Sequence, residues 1–265
     1  MHVILFHIGS FEVRSYGVVV ALSILLGLGV ATYFARQAGR YVDHVSGMAI
    51  YAVIGAILGA RVWQVLFFDW SYYSEHLSEI FMIWNGGMSI QGGLVGGFVG
   101  GALYTWRYKI PFWDFADIVS PGIILGQSVG RIACLLNGDA FGSPTGGNFG
   151  LVYPPGTFAY DTYQSQPLWP AEVWEGQWDV VVFALLLILK QRSWPTGYIF
   201  LFYNILYSTG RLLLEFLRGD TPRFAGLTAA QWTSLAVIAL SFILLIYLRM
   251  RPARRGEQSQ EPLSS

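Results

Sequence analysis

The chain has 265 residues, 54% of them apolar and only 12% charged, with 16 basic and 16 acidic side chains. Soluble domains carry roughly 25% charged residues, so this composition excludes an ordinary soluble protein and points to a chain that crosses a membrane several times. Zero net charge by itself excludes nothing, no basic face suggests a nucleic-acid partner, and the one cysteine, Cys134, excludes an intrachain disulfide.

A helical span needs about 20 mostly apolar residues. Seven stretches qualify, at roughly 16–35, 48–68, 87–106, 117–137, 172–189, 196–217 and 229–248. Glu12 and Arg14, rather than a basic leader, precede the first, so no cleavable signal peptide is expected. Tyr16 stands at its edge, where tyrosine commonly anchors a helix at the interface. The second span carries "GAILGAR" with Gly55, Gly59 and Arg61. The third, "WNGGMSIQGGLVGGFVGG", repeats small residues at the spacing that lets helix backbones approach closely. Gln91, Gly92 and Gly93 lie near its start, and Gly92 and Gly93 could also admit a lipid to the backbone. The fifth span is the weakest, because "WPAEVWEGQWD" is amphipathic and only 180–189 is strongly apolar.

Basic residues between spans set the orientation. Arg36 and Arg40, Arg107 and Lys109, Lys190 and Arg192, and Arg249, Arg251, Arg254 and Arg255 occupy alternate gaps, ten of the sixteen basic residues. The gaps 69–86 and 138–171 hold none. The alternation predicts an all-α, polytopic membrane helical bundle of seven transmembrane helices, N-terminus outside and C-terminus cytoplasmic. A single transmembrane domain is expected over 1–251, followed by a disordered, polar cytoplasmic tail over 252–265. The long connection 138–171 is then external, and its glycines, prolines and aromatics predict a packed cap at the membrane surface.

Four ionisable residues fall inside the spans away from their ends: Arg61, Arg131, Arg211 and Glu215. Each central charge costs roughly 2.5–3.5 kcal/mol on insertion scales and so faces the bundle interior or a wet cavity. Tyr207, Arg211 and Glu215 are spaced i, i+4, i+8 on one helical stripe, with Arg218 three residues on. Arg131, Asn137 and Asp139 lie at the same, external, end of the fourth span. Together they predict a net-cationic cavity open to the outer leaflet, suited to an anionic lipid because a guanidinium fork matches phosphate. No metal-ligand spacing, Ser-His-Asp set or phosphate-cradling loop is visible, and no cofactor is expected.

The stretches "RSYGV", "GARVWQVLFF", "WNGGMSIQGGLVGG", "VGRIACLLNGDAFG" and "GRLLLEFLRGD" run in order along the chain. In them the sequence resembles the prolipoprotein diacylglyceryl transferases, bacterial inner-membrane enzymes with seven spans. The resemblance implies transfer of the diacylglyceryl group of phosphatidylglycerol to the lipobox cysteine thiol of a preprotein, with release of glycerol phosphate. This would be the first step of lipoprotein maturation, with phosphatidylglycerol, lipobox-containing preproteins and the lipid bilayer as partners. It implies catalytic roles for Arg131, Arg211, Glu215, Tyr16, Gln91 and Tyr207. It implies substrate binding by Arg131, Asn137, Asp139, Gly92, Gly93, Arg61 and Arg218. Arg131 is expected to hold the phosphate and Arg211 the leaving group, with Glu215 orienting both.

Three positions depart from the family. Gln91 stands where many members have histidine, Cys134 where asparagine is frequent, and Trp169 where "HP" is common. Glutamine cannot take the thiol proton, which leaves the base open among Tyr16, Tyr207, Glu215 and a thiolate formed in the positive field. Two other readings stand beside the transferase: a catalytically weak paralogue that binds anionic lipid or preprotein without transfer, and a lipid transporter on the same scaffold. The absence of paired inverted repeats counts against the transporter.

Overall fold

A computed structural model describes residues 4–8, 11–83 and 86–250. The expected tail, 252–265, lies outside the described residues. The protein is a mostly helical, polytopic membrane protein. Seven long helices follow the seven predicted apolar stretches: α1 Ser15–Gln37, α2 Val42–Trp63, α4 Ile90–Arg107, α5 Phe112–Asn137, α7 Ala171–Lys190, α8 Tyr198–Leu214 and α9 Ala229–Met250. The short helices α3, Trp70–Tyr73, and α6, Phe158–Tyr163, lie in connections. Among the described residues, four segments are long and apolar enough to cross a bilayer: Ser15–Gln37, Val42–Phe68, Phe112–Asn137 and Ala229–Met250. The rest differ for visible reasons. α4 is diluted by glycine, α7 carries Glu172, Glu175, Asp179 and Lys190, and α8 has 17 residues.

Two small antiparallel hairpins add to the all-α expectation. β1, Ile4–Ile8, pairs with β2, Phe11–Arg14, immediately before α1. β3, Arg223–Phe224, pairs with β4, Leu227–Thr228, ahead of α9. Thr228 and Gln231 then form a reciprocal cap at the start of α9: the Thr228 N–H donates to Gln231 Oε1 at 3.0 Å, and the Gln231 N–H to Thr228 Oγ1 at 3.2 Å.

Glycine sets the two closest helix pairs. On α2 and α4, a Cβ at Gly55, Gly59, Gly96 or Gly100 would run into the backbone of the opposite helix. On α1 and α5, a Cβ at Gly27 would stand 2.8 Å from the Gly122 carbonyl oxygen. Such contact replaces the hydrophobic drive that is missing between helices in lipid. α5 is the central element, packed against α1, α7 and α8. Ile124 of α5 is fully buried with Val182 and Leu186 of α7 and Ile199 and Tyr203 of α8. Pro121, inside α5, cannot donate to the Asp117 carbonyl four residues earlier; Lys190 Nζ stands 3.5 Å from that oxygen.

The connection 138–171 is packed, with its own core of Phe141, Tyr153, Ala159 and Leu168. Backbone bonds tie it to the end of α8: Ser143 N–H to Leu217 O at 2.7 Å and Gly219 N–H to Phe141 O at 3.2 Å. It is fixed to α7 by Tyr153, whose hydroxyl donates to the buried Glu172 carboxylate. Burial and the Glu172 charge both push the Tyr153 phenol up, so it remains a donor at any working pH. Tyr153→Phe should therefore destabilise the protein by about 1.5–3 kcal/mol, the worth of a hydrogen bond to a charged group. Thermal melting in detergent, with proteolysis of the connection as a second readout, checks this.

Candidate active site

The site grows from three helices. α5 presents Arg131, and Gly176 of α7 lets it approach: a Cβ there would stand 3.2 Å from Arg131 Cβ. Ser128, one turn earlier, donates to the Gly176 carbonyl at 3.0 Å and fixes the same crossing. α8 presents Tyr207 and Arg211, and Gly210 accepts the Trp178 ring of α7 at a position where any Cβ would collide with it. A 3-10 turn, Glu215–Leu217, continues α8, so Glu215 stays on the Arg211 face.

Arg131 and Arg211 meet at Glu175, whose side chain is 4% exposed. Its Oε2 lies 2.8 Å from Arg131 Nη2, and its Oε1 accepts from Arg211 Nη1. Arg218 Nη1 lies 3.6 Å from the same Oε1 and has no hydrogen-bond partner, while its Nε and Nη2 grip Asp220 at 2.7 Å each. Arg211 Nη2 also pairs with Glu215 at 2.9 Å. Thr228 Oγ1 donates to the other Glu215 oxygen at 2.9 Å, which joins the cap of α9 to the site. Asp179, one turn beyond Glu175 and buried, lies within electrostatic range of Arg131 and Arg211. Tyr207 is within range of the same two arginines and stacks on Tyr203, with centroids 6.0 Å apart.

Tyr16, Asn137 and Asp139 form an adjoining group. Tyr16 and Asn137 line an open cavity of about 560 Å³, together with Arg14 and Phe158. Asp139 lies beside Asn137 and Cys134; burial pushes its carboxyl up, and Oδ1 has no partner. Tyr16 lies in electrostatic range of Arg131, Cys134 and Asp139, which links this mouth to the arginine cluster.

The remaining predicted residues have their contacts elsewhere. Arg61 is 5% exposed, and its guanidinium donates to the carbonyls of Ile80 (2.8 Å), Gly86 (2.7 Å) and Gly87 (2.9 Å) while lying over the Tyr73 ring. It holds the connection leading to α4. Gly92 is packed against Trp63 and the Gly59 carbonyl, and Gly93 faces Ala56 and Ala60 with ordinary contact distances. Gln91 is exposed and accepts a hydrogen bond from Ser89 Oγ at 2.8 Å.

The sequence reading missed Glu172, Glu175 and Asp179, and so the expected net-cationic lining needs correction. The three arginines face Glu175, Asp179, Glu215 and Asp220. The missed acids do carry a signal: spaced i, i+3, i+7, they occupy one stripe of an otherwise apolar span. Their place in its amphipathic first turns hid it.

A profile of the prolipoprotein diacylglyceryl transferase family matches residues 3–247. The chain belongs to the prolipoprotein diacylglyceryl transferase family. Three of its relatives bear the name phosphatidylglycerol–prolipoprotein diacylglyceryl transferase. That of Acaryochloris marina is 38% identical over 92% of this chain and 89% of its own length. The Nostoc relative is 37% identical over 94% and 90%, and that of Geobacillus kaustophilus 38% over 96% and 95%. The matched stretch, 3–247, takes in the whole site from Tyr16 to Thr228.

Proposed function

We propose that this chain is a phosphatidylglycerol–prolipoprotein diacylglyceryl transferase of the bacterial inner membrane, acting on lipobox cysteines. It would span the membrane seven times as one domain over 1–251, N-terminus outside, with 138–171 as an external cap. The observation that carries the reading is the convergence of Arg131, Arg211 and Arg218 on one buried point, in a member of this family. The reaction joins sulfur to a glyceryl carbon while the carbon–oxygen bond to phosphate breaks, so negative charge gathers on the departing phosphate. Fixed guanidinium donors stabilise that charge without a metal.

In this reading Arg131 anchors the phosphate, Arg211 steadies the leaving group and Glu215 holds Arg211 in line. Arg218, held by Asp220, adds its positive charge beside the same anion. Asn137 and Asp139, at the cavity mouth, position the glycerol end, and Tyr16 and Tyr207 line the thiol approach. Gln91, exposed at the start of α4, borders the lipid from that side, where Arg61 fixes the preceding loop, while Gly92 and Gly93 seat α4 against α2.

Release of headgroup-labelled glycerol phosphate from phosphatidylglycerol tests the reading. Release should require a lipobox peptide and vanish when its cysteine is replaced by serine. Phosphatidylglycerol binding without release would favour the paralogue that binds but does not transfer, the reading that Gln91 and Cys134 suggest.

A further inference from the structure

Among the described residues, Glu175 is the one acidic group that two arginines from different helices grip together, and its surroundings are uneven. The Arg131 and Arg211 side chains are 19% and 17% exposed, whereas Glu175 is 4% exposed. An entering anion therefore meets the arginines before it meets the carboxylate. A phosphodiester offers two charged oxygens to the same two forks and competes with Glu175 for them.

We propose that Glu175 is the proton acceptor for the attacking thiol, released for that task when the lipid phosphate takes over Arg131 and Arg211. The inference rests on the transferase reading above. Once the forks turn to phosphate, Glu175 keeps only Arg218 Nη1, 3.6 Å away. A buried carboxylate stripped of its partners is costly to leave charged, and a proton removes that cost. The thiol supplies it: the S–H proton passes to Glu175, the thiolate forms a bond to the glyceryl carbon, and the carbon–oxygen electron pair leaves with phosphate. Glu175 then returns the proton to the departing glycerol phosphate, and the arginines close on Glu175 again. Charge within the site is conserved throughout.

The neighbouring groups fit this role less well. Glu215 is fully buried and already bonded to Arg211 and Thr228. Asp179 sits one turn further along α7 than Glu175, farther from the helix start where the connection 138–171 joins it. Glu172 is committed to Tyr153. Tyr207, on α8, carries a phenol, whose ordinary pKa of about 10 leaves it protonated near neutral pH and so not a base. Gln91 has no basic nitrogen and is bonded to Ser89.

The test compares wild type and Glu175→Gln, reconstituted with phosphatidylglycerol, on a cysteine lipobox peptide and on its selenocysteine counterpart. A selenol ionises below neutral pH and needs no base. With the cysteine peptide, Glu175→Gln should lose at least about 100-fold in kcat, the scale of a lost general base. Phosphatidylglycerol binding should be kept or tightened, because a competing anion is gone. The residual rate should rise about tenfold per pH unit up to the thiol pKa near 8.5. The selenocysteine peptide should restore the variant to within about tenfold of the wild type, erasing most of that 100-fold loss.

Wild-type kcat on cysteine overturns the proposal, and so does a loss that the selenol leaves unrepaired while lipid binding is intact. Should Glu175→Gln not fold, Glu175→Asp carries the same test: a lowered kcat repaired by the selenol supports the role, and one left unrepaired overturns it. No product from the wild type with either peptide overturns the transferase reading itself, whereas a defect confined to the variants concerns Glu175 alone.

Discussion

Arg131→Ala should cut transfer by about 100–1,000-fold, the effect of removing one preorganised donor from a developing oxyanion. Arg131 offers a fork to a site 2.8 Å from Nη2, now held by Glu175, and no other residue of α5 reaches that point with a cation. The loss should lie in kcat as well as in lipid affinity, because phosphate charge grows as the carbon–oxygen bond breaks. Arg131→Lys should recover only part of it. An ammonium restores the charge but not the two parallel hydrogen bonds. Steady-state kinetics against phosphatidylglycerol concentration separates the two effects, and a melting curve shows whether the ion network still folds. Full turnover by folded Arg131→Ala would remove the anion-holder role.

The second large effect concerns the scaffold. Gly96→Ala should destabilise the protein by about 1–3 kcal/mol or more, the usual penalty of overpacking. The added methyl would meet the Gly55 carbonyl and stand 2.9 Å from Gly59 Cα, backbone atoms that move only if α2 and α4 separate. Gly97→Ala is the matched control. Its methyl would find the Ala52 carbonyl at 3.5 Å and Ala56 Cβ at 3.6 Å, ordinary contacts, and the helix gains up to about 1 kcal/mol in propensity. Melting of the two variants in one detergent should move them in opposite directions. Equal behaviour would mean that the seam is not set by glycine.

Much of this was legible before the structure. The apolar runs placed seven long helices, because length and hydropathy dictate a helix wherever backbone groups must satisfy themselves in lipid. The stripe Tyr207, Arg211, Glu215 fell where helical spacing put it, and the Arg211–Glu215 pair followed. The glycines of α4 signalled close packing, but not which of them touch. Gly96 and Gly97 are neighbours in sequence and opposite in consequence, since only the crossing of α2 decides which one faces a backbone. The β1–β2 hairpin left no strong signal in so short a stretch. Glu175 was the costliest omission. Counting charges by span separated it from the arginines, whereas the structure joins them through Gly176, a residue with no chemistry of its own.

Arg61 teaches the reverse. Its buried charge pointed to a ligand, yet backbone carbonyls of the preceding loop take up its fork. A charge within a span announces that something polar lies opposite, and sequence does not say whether that is substrate or chain.

The most direct measurement is the mass of a lipobox peptide after incubation with the purified protein and phosphatidylglycerol. The account predicts a gain of one diacylglyceryl group on the cysteine thiol, lost with Arg131→Ala. An unchanged peptide mass, from protein shown to be folded and to bind the lipid, would contradict it.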